Sequence, residues 1–359
     1  SNRKYAAAKE AFVHYARLAE SETDANHAQM IAIACEKLAT NGMVPSGIKV
    51  QKADFNSDQL DFSPVIWKEN SIVFASNRPT ARTADEASDP WTEAPFVDLW
   101  VVDVAANGKT GEPRPFAKEI NSQFHEGPIV FNTSGDRVYL TRSDVAGKGH
   151  RGFDDKKNTR LKIYSATRIE DKWVMEPELS INSSKFSTCH PALSLTEDTL
   201  VFSSDRPGGY GGMDLWFAVK EGKDWSSPSN LGPEVNTAGN EVFPTMDAKG
   251  TLYFSTDFMV GYGGLDIFRT SKHGQEWGSP ENLGAPINSS LDDYGLIVAK
   301  DHLHGHFSSN RSGSGDDIYS YLDMAKLAIP VLVLDCETGL PLSVASDVNM
   351  PDTWLLPRP

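Results

Sequence analysis

Five copies of one short pattern constrain what this chain can fold into. Each copy sets an apolar residue before Asn and Ser or Thr: Phe55-Asn56-Ser57, Ile120-Asn121-Ser122, Ile181-Asn182-Ser183, Val235-Asn236-Thr237 and Ile287-Asn288-Ser289. Successive Asn residues lie 65, 61, 54 and 52 positions apart. Each copy leads into apolar segments ending near Ser-Asn/Asp-Arg, and most continue through a Gly-rich turn to Asp-Leu-Trp or a relative of it. A period of about 40–55 residues holding several short strands is that of a β-propeller blade.

The third and fourth copies show the unit most fully. SSDRPGGYGGMDLW (203–216) matches STDFMVGYGGLDIF (255–268), and WSSPSNLG from Trp225 matches WGSPENLG from Trp277. Four strands per unit are expected, because short β-branched and aromatic runs alternate with Gly, Pro, Asn and Asp. In the third unit these are an inner strand at Pro191–Leu193, a second at Thr199–Phe202, a third at Asp214–Ala218 and an outer one near Asn230–Leu231. The fifth copy stops at its third strand, Asp317–Tyr321, while an orphan strand, Ile48–Lys52, precedes the first copy. If that strand completes the last blade, no sheet edge stays unpaired. The expected fold is mainly β, a five-bladed propeller of four-stranded blades over 46–325 with an N-terminal helical hairpin. A six-bladed ring would need a blade hidden in the insertions 79–95 or 144–160. Both are charged and poor in apolar runs, so they read as loops.

Net charge is −15, from 49 acidic and 34 basic residues. That balance argues against a nucleic-acid backbone or an anionic membrane surface as partner. No apolar run approaches the ~20 residues that span a bilayer as a helix. No signal peptide is visible, and the native start is expected to lie upstream of Ser1. Cys35, Cys189 and Cys336 lie far apart with no C-x-x-C spacing, against a disulfide framework or a zinc ribbon.

Residues 1–45 read as a helical hairpin. Tyr5, Ala8, Phe12, Tyr15, Ala16 and Ala19 recur at helical spacing, as do Ala28, Ile31, Ala32, Cys35 and Leu38. Asp24 is the expected N-cap of the second helix, and Asn41-Gly42 with Pro45 its end. The hairpin resembles one tetratricopeptide unit, which cannot bury both faces by itself. After the propeller, residues 326–359 run from Ile329–Asp335 into Asp335-Cys336-Glu337-Thr338-Gly339-Leu340-Pro341-Leu342. That D-x-x-T-G-x-P-L pattern resembles the opening of a carboxypeptidase-regulatory-like β-sandwich, too short here to complete one.

The order of these parts, around blades of the SSDRPGGYGGMDLW type, resembles the OmpA-family envelope proteins of Bacteroidota with TolB-like propellers, among them a type IX secretion system component. The resemblance implies a periplasmic, outer-membrane-associated protein with envelope or secretion-system partners. It also implies peptidoglycan contact through a C-terminal domain, and membrane contact through a lipid anchor, neither of which is in this sequence.

Candidate chemistry is sparse. Arg78, Arg142, Arg206 and Arg311 recur just after the second strand of four blades, with Phe258 in the fourth. A ring of Arg could meet carboxylates. Repetition favours a structural role, each Arg pairing with an Asp such as Asp98, Asp214 or Asp317. Gly209–Gly212 and Gly261–Gly264 lack the helix N-terminus or Lys-Ser/Thr of a phosphate loop and are expected to supply positive φ in turns. His302, His304 and His306 alternate, but His302 falls in a turn, so no metal site is expected. His125-Glu126 and His190 do not repeat between blades. The inner strands, read from Ser63, Pro128, Pro191, Pro244 and Gly295 onward, hold no carboxylate. The expectation is therefore a non-catalytic interaction scaffold without cofactor. The alternative is a propeller enzyme or a glycan-binding module acting on cell-wall or polysaccharide fragments. Partner contact is expected on the two insertions, through Trp91, Phe96, Arg151, Phe153, Lys156, Lys157 and Arg160, because aromatic and Arg side chains dominate such surfaces.

Overall fold

A computed structural model describes residues 5–41, 47–79, 94–105, 107–122, 124–146, 150–151, 159–274, 276–313 and 315–327. Two helices come first: α1 (Tyr5–Leu18) and α2 (Glu22–Asn41). Their N-terminal boundary differs from the sequence expectation. Ser21, not Asp24, caps α2, its hydroxyl accepting from the Asp24 backbone N–H at 3.0 Å. The shorter side chain one residue before the helix reaches the orphan amide that a cap must satisfy. Ala28, Ala32 and Cys35 are buried, and Lys9 pairs with Glu36 across the hairpin at 2.7 Å.

Five antiparallel sheets follow, each four strands deep from the axis outward. The first blade is Asp61–Trp67, Ser71–Ser76, Asp98–Asp103 and Arg114–Pro115. The second is Glu126–Phe131, Arg137–Ser143, Leu161–Ile169 and Lys172–Met175. The third is Thr188–Leu193, Thr199–Ser204, Asp214–Glu221 and an outer edge at Asp224–Trp225 and Ser229–Asn230. The fourth is Glu241–Met246, Leu252–Thr256, Asp266–Thr270 and Glu281–Asn282. The fifth is Asp293–Val298, His304–Ser309 and Asp317–Asp323, completed by β1 (Ile48–Lys52). β1 pairs antiparallel with Asp317–Asp323, from Ile48↔Asp323 to Lys52↔Tyr319, so the ring closes with five blades.

The recurrent Asn explains how neighbouring blades are joined. Asn121 accepts from Leu99 N–H at 2.9 Å and donates to Leu99 C=O at 3.0 Å, completing the third strand of the preceding blade as a backbone partner would. Asn182 does the same to Ile163, Asn236 to Leu215 and Asn288 to Ile267. Asn56 does it to Ile318, 262 positions away, so the first motif helps close the ring. An amide side chain presents the same donor and acceptor as a peptide group, and an unpaired buried backbone group costs about 1–3 kcal/mol. Five apolar clusters fill the wedges between blades, centred on fully buried residues such as Phe74, Leu140, Phe202, Phe254 and Phe307.

Candidate functional site: the motif-bearing face and the axial channel

Every inner strand except the third blade's opens on an acid: Asp61, Glu126, Glu241 and Asp293, all fully buried, with Thr188 in the third. This corrects the expectation of inner strands without carboxylates. Those strands start two or three residues earlier than the apolar run suggested, because each contains a bulge. The register slips at Phe62/Val65, Glu126/Ile129, Cys189/Ala192, Val242/Thr245 and Tyr294/Ile297. The bulged residue is left-handed: Ser63, Gly127, His190, Phe243 and Gly295 have φ between 50° and 105°. A bulge adds a residue and re-aims the side chains on either side of it.

The acids meet the motif and the arginines. Ser57, Ser122 and Thr237 each give both backbone N–H and hydroxyl to the acid four residues on, and Ser289 gives its N–H. Arg78 then pairs with Asp61 at 2.6 Å, Arg142 with Glu126 at 3.0 Å and Arg311 with Asp293 at 2.5 Å. The same guanidinium donates to the carbonyl before the motif Asn: Phe55, Ile120, Ile181 for Arg206, and Ile287. Arg78, Arg142 and Arg311 therefore meet their own inner strand's acid, not Asp98, Asp214 or Asp317. Arg142 stands inside its strand, whereas the other three follow theirs, yet it finds an equivalent carbonyl. Aromatic faces flank each cation, Phe74 and Trp100 for Arg78 at 5.0 and 5.2 Å, Phe307 and Tyr319 for Arg311 at 4.9 and 5.0 Å.

Two blades break the pattern in opposite senses. In the third, Arg206 faces Thr188 instead of an acid, donating to its hydroxyl at 3.2 Å, and burial draws the Arg206 pKa down to about 10. In the fourth, Glu241 has no arginine; Phe258 stands there, and burial pushes the Glu241 pKa up to about 7. Phe258 carries instead the His27 ring of α2, centroids 4.4 Å apart, while His27 Nε2 donates to the Asp257 carbonyl at 2.8 Å. The helical hairpin is thus seated on the one blade whose arginine is missing.

The Gly-rich loops wrap an aspartate. Tyr210 and Gly211 N–H donate to Asp214 at 2.6 and 3.0 Å, and Tyr262 and Gly263 N–H to Asp266 at 2.7 and 3.0 Å. Positive φ, the reason expected for these glycines, holds only before the motif, at Gly208. Close approach is the operative constraint: a Cβ on Gly211 would stand 2.4 Å from Gly239 O, and one on Gly261 1.9 Å from Asp266 Oδ2.

At the same end, aromatic side chains line the mouth of the axial channel. His190 stacks on Phe243 at 4.0 Å, Phe243 lies 4.4 Å from Tyr294, and Tyr294 lies 6.5 Å from Phe62. His190 Nδ1 accepts from Phe243 N–H at 3.3 Å, which places the proton on Nε2, and enclosure by protein pulls its pKa down to about 3. Below the rings is a cavity of about 90 Å³ walled by Pro64, Pro128, Pro191, Pro244 and Ile297.

The remaining candidates separate. His125 Nδ1 accepts from Val97 N–H at 3.1 Å, and Glu126, raised by burial to about 7, is held by Arg142. His302 lies in a turn 3.7 Å from Asp247, His304 pairs with Asp301, and His306 is half-buried, the surrounding protein lowering its pKa to about 4. Among the described residues no group of three or more His, Cys, Asp or Glu is placed to hold a metal ion. Phe96 packs edge-on against Phe124 and His125 at 6.2 and 4.8 Å, and Arg160 bridges to Asp205 of the next blade at 3.1 Å. Arg151 lies in a two-residue strand paired with Val145–Ala146. Trp91, Phe153, Lys156 and Lys157 lie outside the described residues, as does nearly all of 326–359.

The ring of four-stranded blades makes this a five-bladed β-propeller protein. No family model matches the chain, and no curated protein matches it. Solved structures with similar folds include one described as a glycoside hydrolase, at 11% identity over 79% of this chain and 94% of that one, TM-score 0.48. They also include TolB from Acinetobacter baumannii, at 11% identity over 85% and 71%, TM-score 0.39. A third is an α-L-arabinofuranosidase from Lactobacillus brevis, at 10% identity over 83% and 95%, TM-score 0.40. The expectation of a chain without enzymatic activity is corrected here. Its premise was inner strands free of carboxylates, which they are not.

Proposed function

We propose that this chain is the propeller-bearing part of a bacterial envelope protein, similar to PorE and its OmpA-family relatives, and that the motif-bearing face receives a protein partner. On this reading the protein works in the periplasm beside the outer membrane, in a type IX secretion assembly, with peptidoglycan and lipid attachment supplied by other segments. The order of hairpin, blades and D-x-x-T-G-x-P-L segment supports the family. The axial mouth carries the partner reading: aromatic edges surround a pocket of about 90 Å³ with proline and aliphatic walls. Such a pocket suits an apolar side chain of a protein, the usual anchor of an interface, better than a hydroxyl-rich ligand, whose polar groups it would strand. A photo-crosslinking residue at Tyr210, 52% exposed in a Gly-rich loop, should capture an envelope protein in cells. The same residue at Leu195, 56% exposed on the opposite face, should not. Capture from Leu195 alone would refute the assignment.

A second reading, a propeller acting on or binding polysaccharide, is favoured by a different feature. A groove between the third and fourth blades combines indole and phenyl surfaces with hydroxyls from Ser194 and Thr196.

A further inference from the structure

The wedge between the third and fourth blades is incompletely filled, and a comparison with its neighbour shows why. Between the second and third blades, Tyr139 packs edge-on to Trp225, centroids 5.8 Å apart, and both are buried. The corresponding third residue of the next second strand is Val201, which belongs to the core cluster that Trp277 packs against and lines the same groove as Trp277. Valine is smaller than tyrosine by a phenol ring. Trp277 is left half-buried, beside a groove of about 310 Å³ walled by Phe217 and floored by Val201. The repeat WSSPSNLG/WGSPENLG conserves the tryptophan while its packing partner changes.

The rim of this groove is charged against the trend of the molecule. Lys249 and Lys272 are exposed there, and neither forms an ion pair with a described residue, in a chain of net charge −15. The Lys272 ammonium sits 5.2 Å from the Trp277 ring and 5.8 Å from Phe217. Asp198 is the opposing acid. Ser194 and Thr199 hydroxyls donate to it at 3.0 and 2.9 Å, holding it as an anion able to accept further hydroxyls. An aromatic wall, two ammonium groups without a carboxylate partner among the described residues and an acceptor carboxylate suit a ligand with an apolar ring face, a negative charge and hydroxyls.

We propose that this groove binds a hexuronic-acid unit of an acidic polysaccharide. One face of the sugar ring lies on Trp277, its carboxylate is drawn to Lys249 and Lys272, and its hydroxyls reach Asp198 and Thr196. The inference rests on the polysaccharide reading and adds to it the acidic class of sugar and the residues that select it.

Calorimetric titration of the whole chain with tetragalacturonic acid, beside neutral maltotetraose and an acidic tetrapeptide, tests both levels. Two charge contacts are expected to make the uronate bind at least about 10-fold tighter than the neutral sugar, in a salt-sensitive manner. Lys249→Ala with Lys272→Ala, both on the surface, should remove that preference. Val201→Tyr, which refills the wedge as Tyr139 does, should remove binding of either sugar while the melting transition is retained. Equal binding of both sugars, untouched by loss of the lysines, overturns the acidic specificity but leaves the polysaccharide reading. Absence of binding by either sugar overturns both, and tighter binding of the peptide than of the uronate overturns the proposed ligand class.

Discussion

The third and fourth blades are near copies in sequence, yet they carry opposite halves of one device. The first, second and fifth blades each set a half-buried arginine against a buried acid: Arg78–Asp61, Arg142–Glu126 and Arg311–Asp293. The third blade keeps the arginine and replaces the acid by Thr188; the fourth keeps the acid and replaces the arginine by Phe258. The difference teaches that the motif-to-acid link and the motif-to-arginine link are separable. Arg206 still ties the Ile181 carbonyl to its blade without a direct ion pair among the described residues, and Glu241 is still held by Thr237 and Thr256 hydroxyls. Each half is stable alone because hydrogen bonds, rather than the ion pair, satisfy it.

The strongest way to break this comparison is to unpair a complete blade. Arg311→Ala leaves Asp293 buried without its cation, and is expected to lower stability by about 3–5 kcal/mol in chemical denaturation. A loss under 1 kcal/mol would show that the ion pair contributes little beyond the hydroxyl bonds. Glu241→Gln probes the half-device of the fourth blade. The folded pKa of Glu241 is raised to about 7, against an ordinary value of 4.5, so the folded state holds the extra proton between those limits. Its contribution is fully present below pH 4.5 and is lost as pH rises through 7. Replacement by the uncharged isostere should therefore raise stability at pH 8 relative to pH 5 by about 1–3 kcal/mol. Urea midpoints at the two pH values read the change directly, and an unchanged difference would mean that Glu241 is accommodated as an anion.

Arg206→Ala should cost less than Arg311→Ala, about 1–2 kcal/mol, because it strands no buried carboxylate. Equal losses in the two variants would contradict the reading of Thr188 as the reason. The smallest effect is expected from His27→Ala, which removes the ring contact seating the hairpin on Phe258 and about 0.5–1.5 kcal/mol with it. Faster trypsin cleavage within residues 1–45, with the propeller's melting temperature unchanged, is the expected signature.

Much of this architecture was readable from the repeat. The period defined blades, and the orphan strand Ile48–Lys52 closed the ring where the missing fourth strand left room for it. What the Asn was for could not be read, because it meets the backbone N–H and C=O of residues such as Leu99 and Ile163 in the preceding unit, and backbone groups leave no mark in a sequence. The carboxylates escaped notice because the left-handed bulge at Ser63, Phe243 and Gly295 breaks strand alternation just after the acid. The groove was invisible for a different reason. Val201 is an ordinary strand residue, and only its place beside Trp277 in one groove, set beside Tyr139 against Trp225, shows that a ring is missing.

The closing strand has a mechanical consequence. β1 runs antiparallel to Asp317–Asp323, and Met324 N–H donates to Gly47 C=O at 2.9 Å, so the chain enters and leaves the ring at one point. Tension between the segments before residue 47 and after residue 325 would therefore load this pair at its open end. It would peel the ladder one hydrogen bond at a time from Ile48 toward Lys52 instead of shearing all of them together. Resistance then falls to the far end of the ladder, where Lys52 holds Asp317 at 2.8 Å and Asn56 grips both backbone groups of Ile318. A force transmitted through this molecule would meet its stiffest element last.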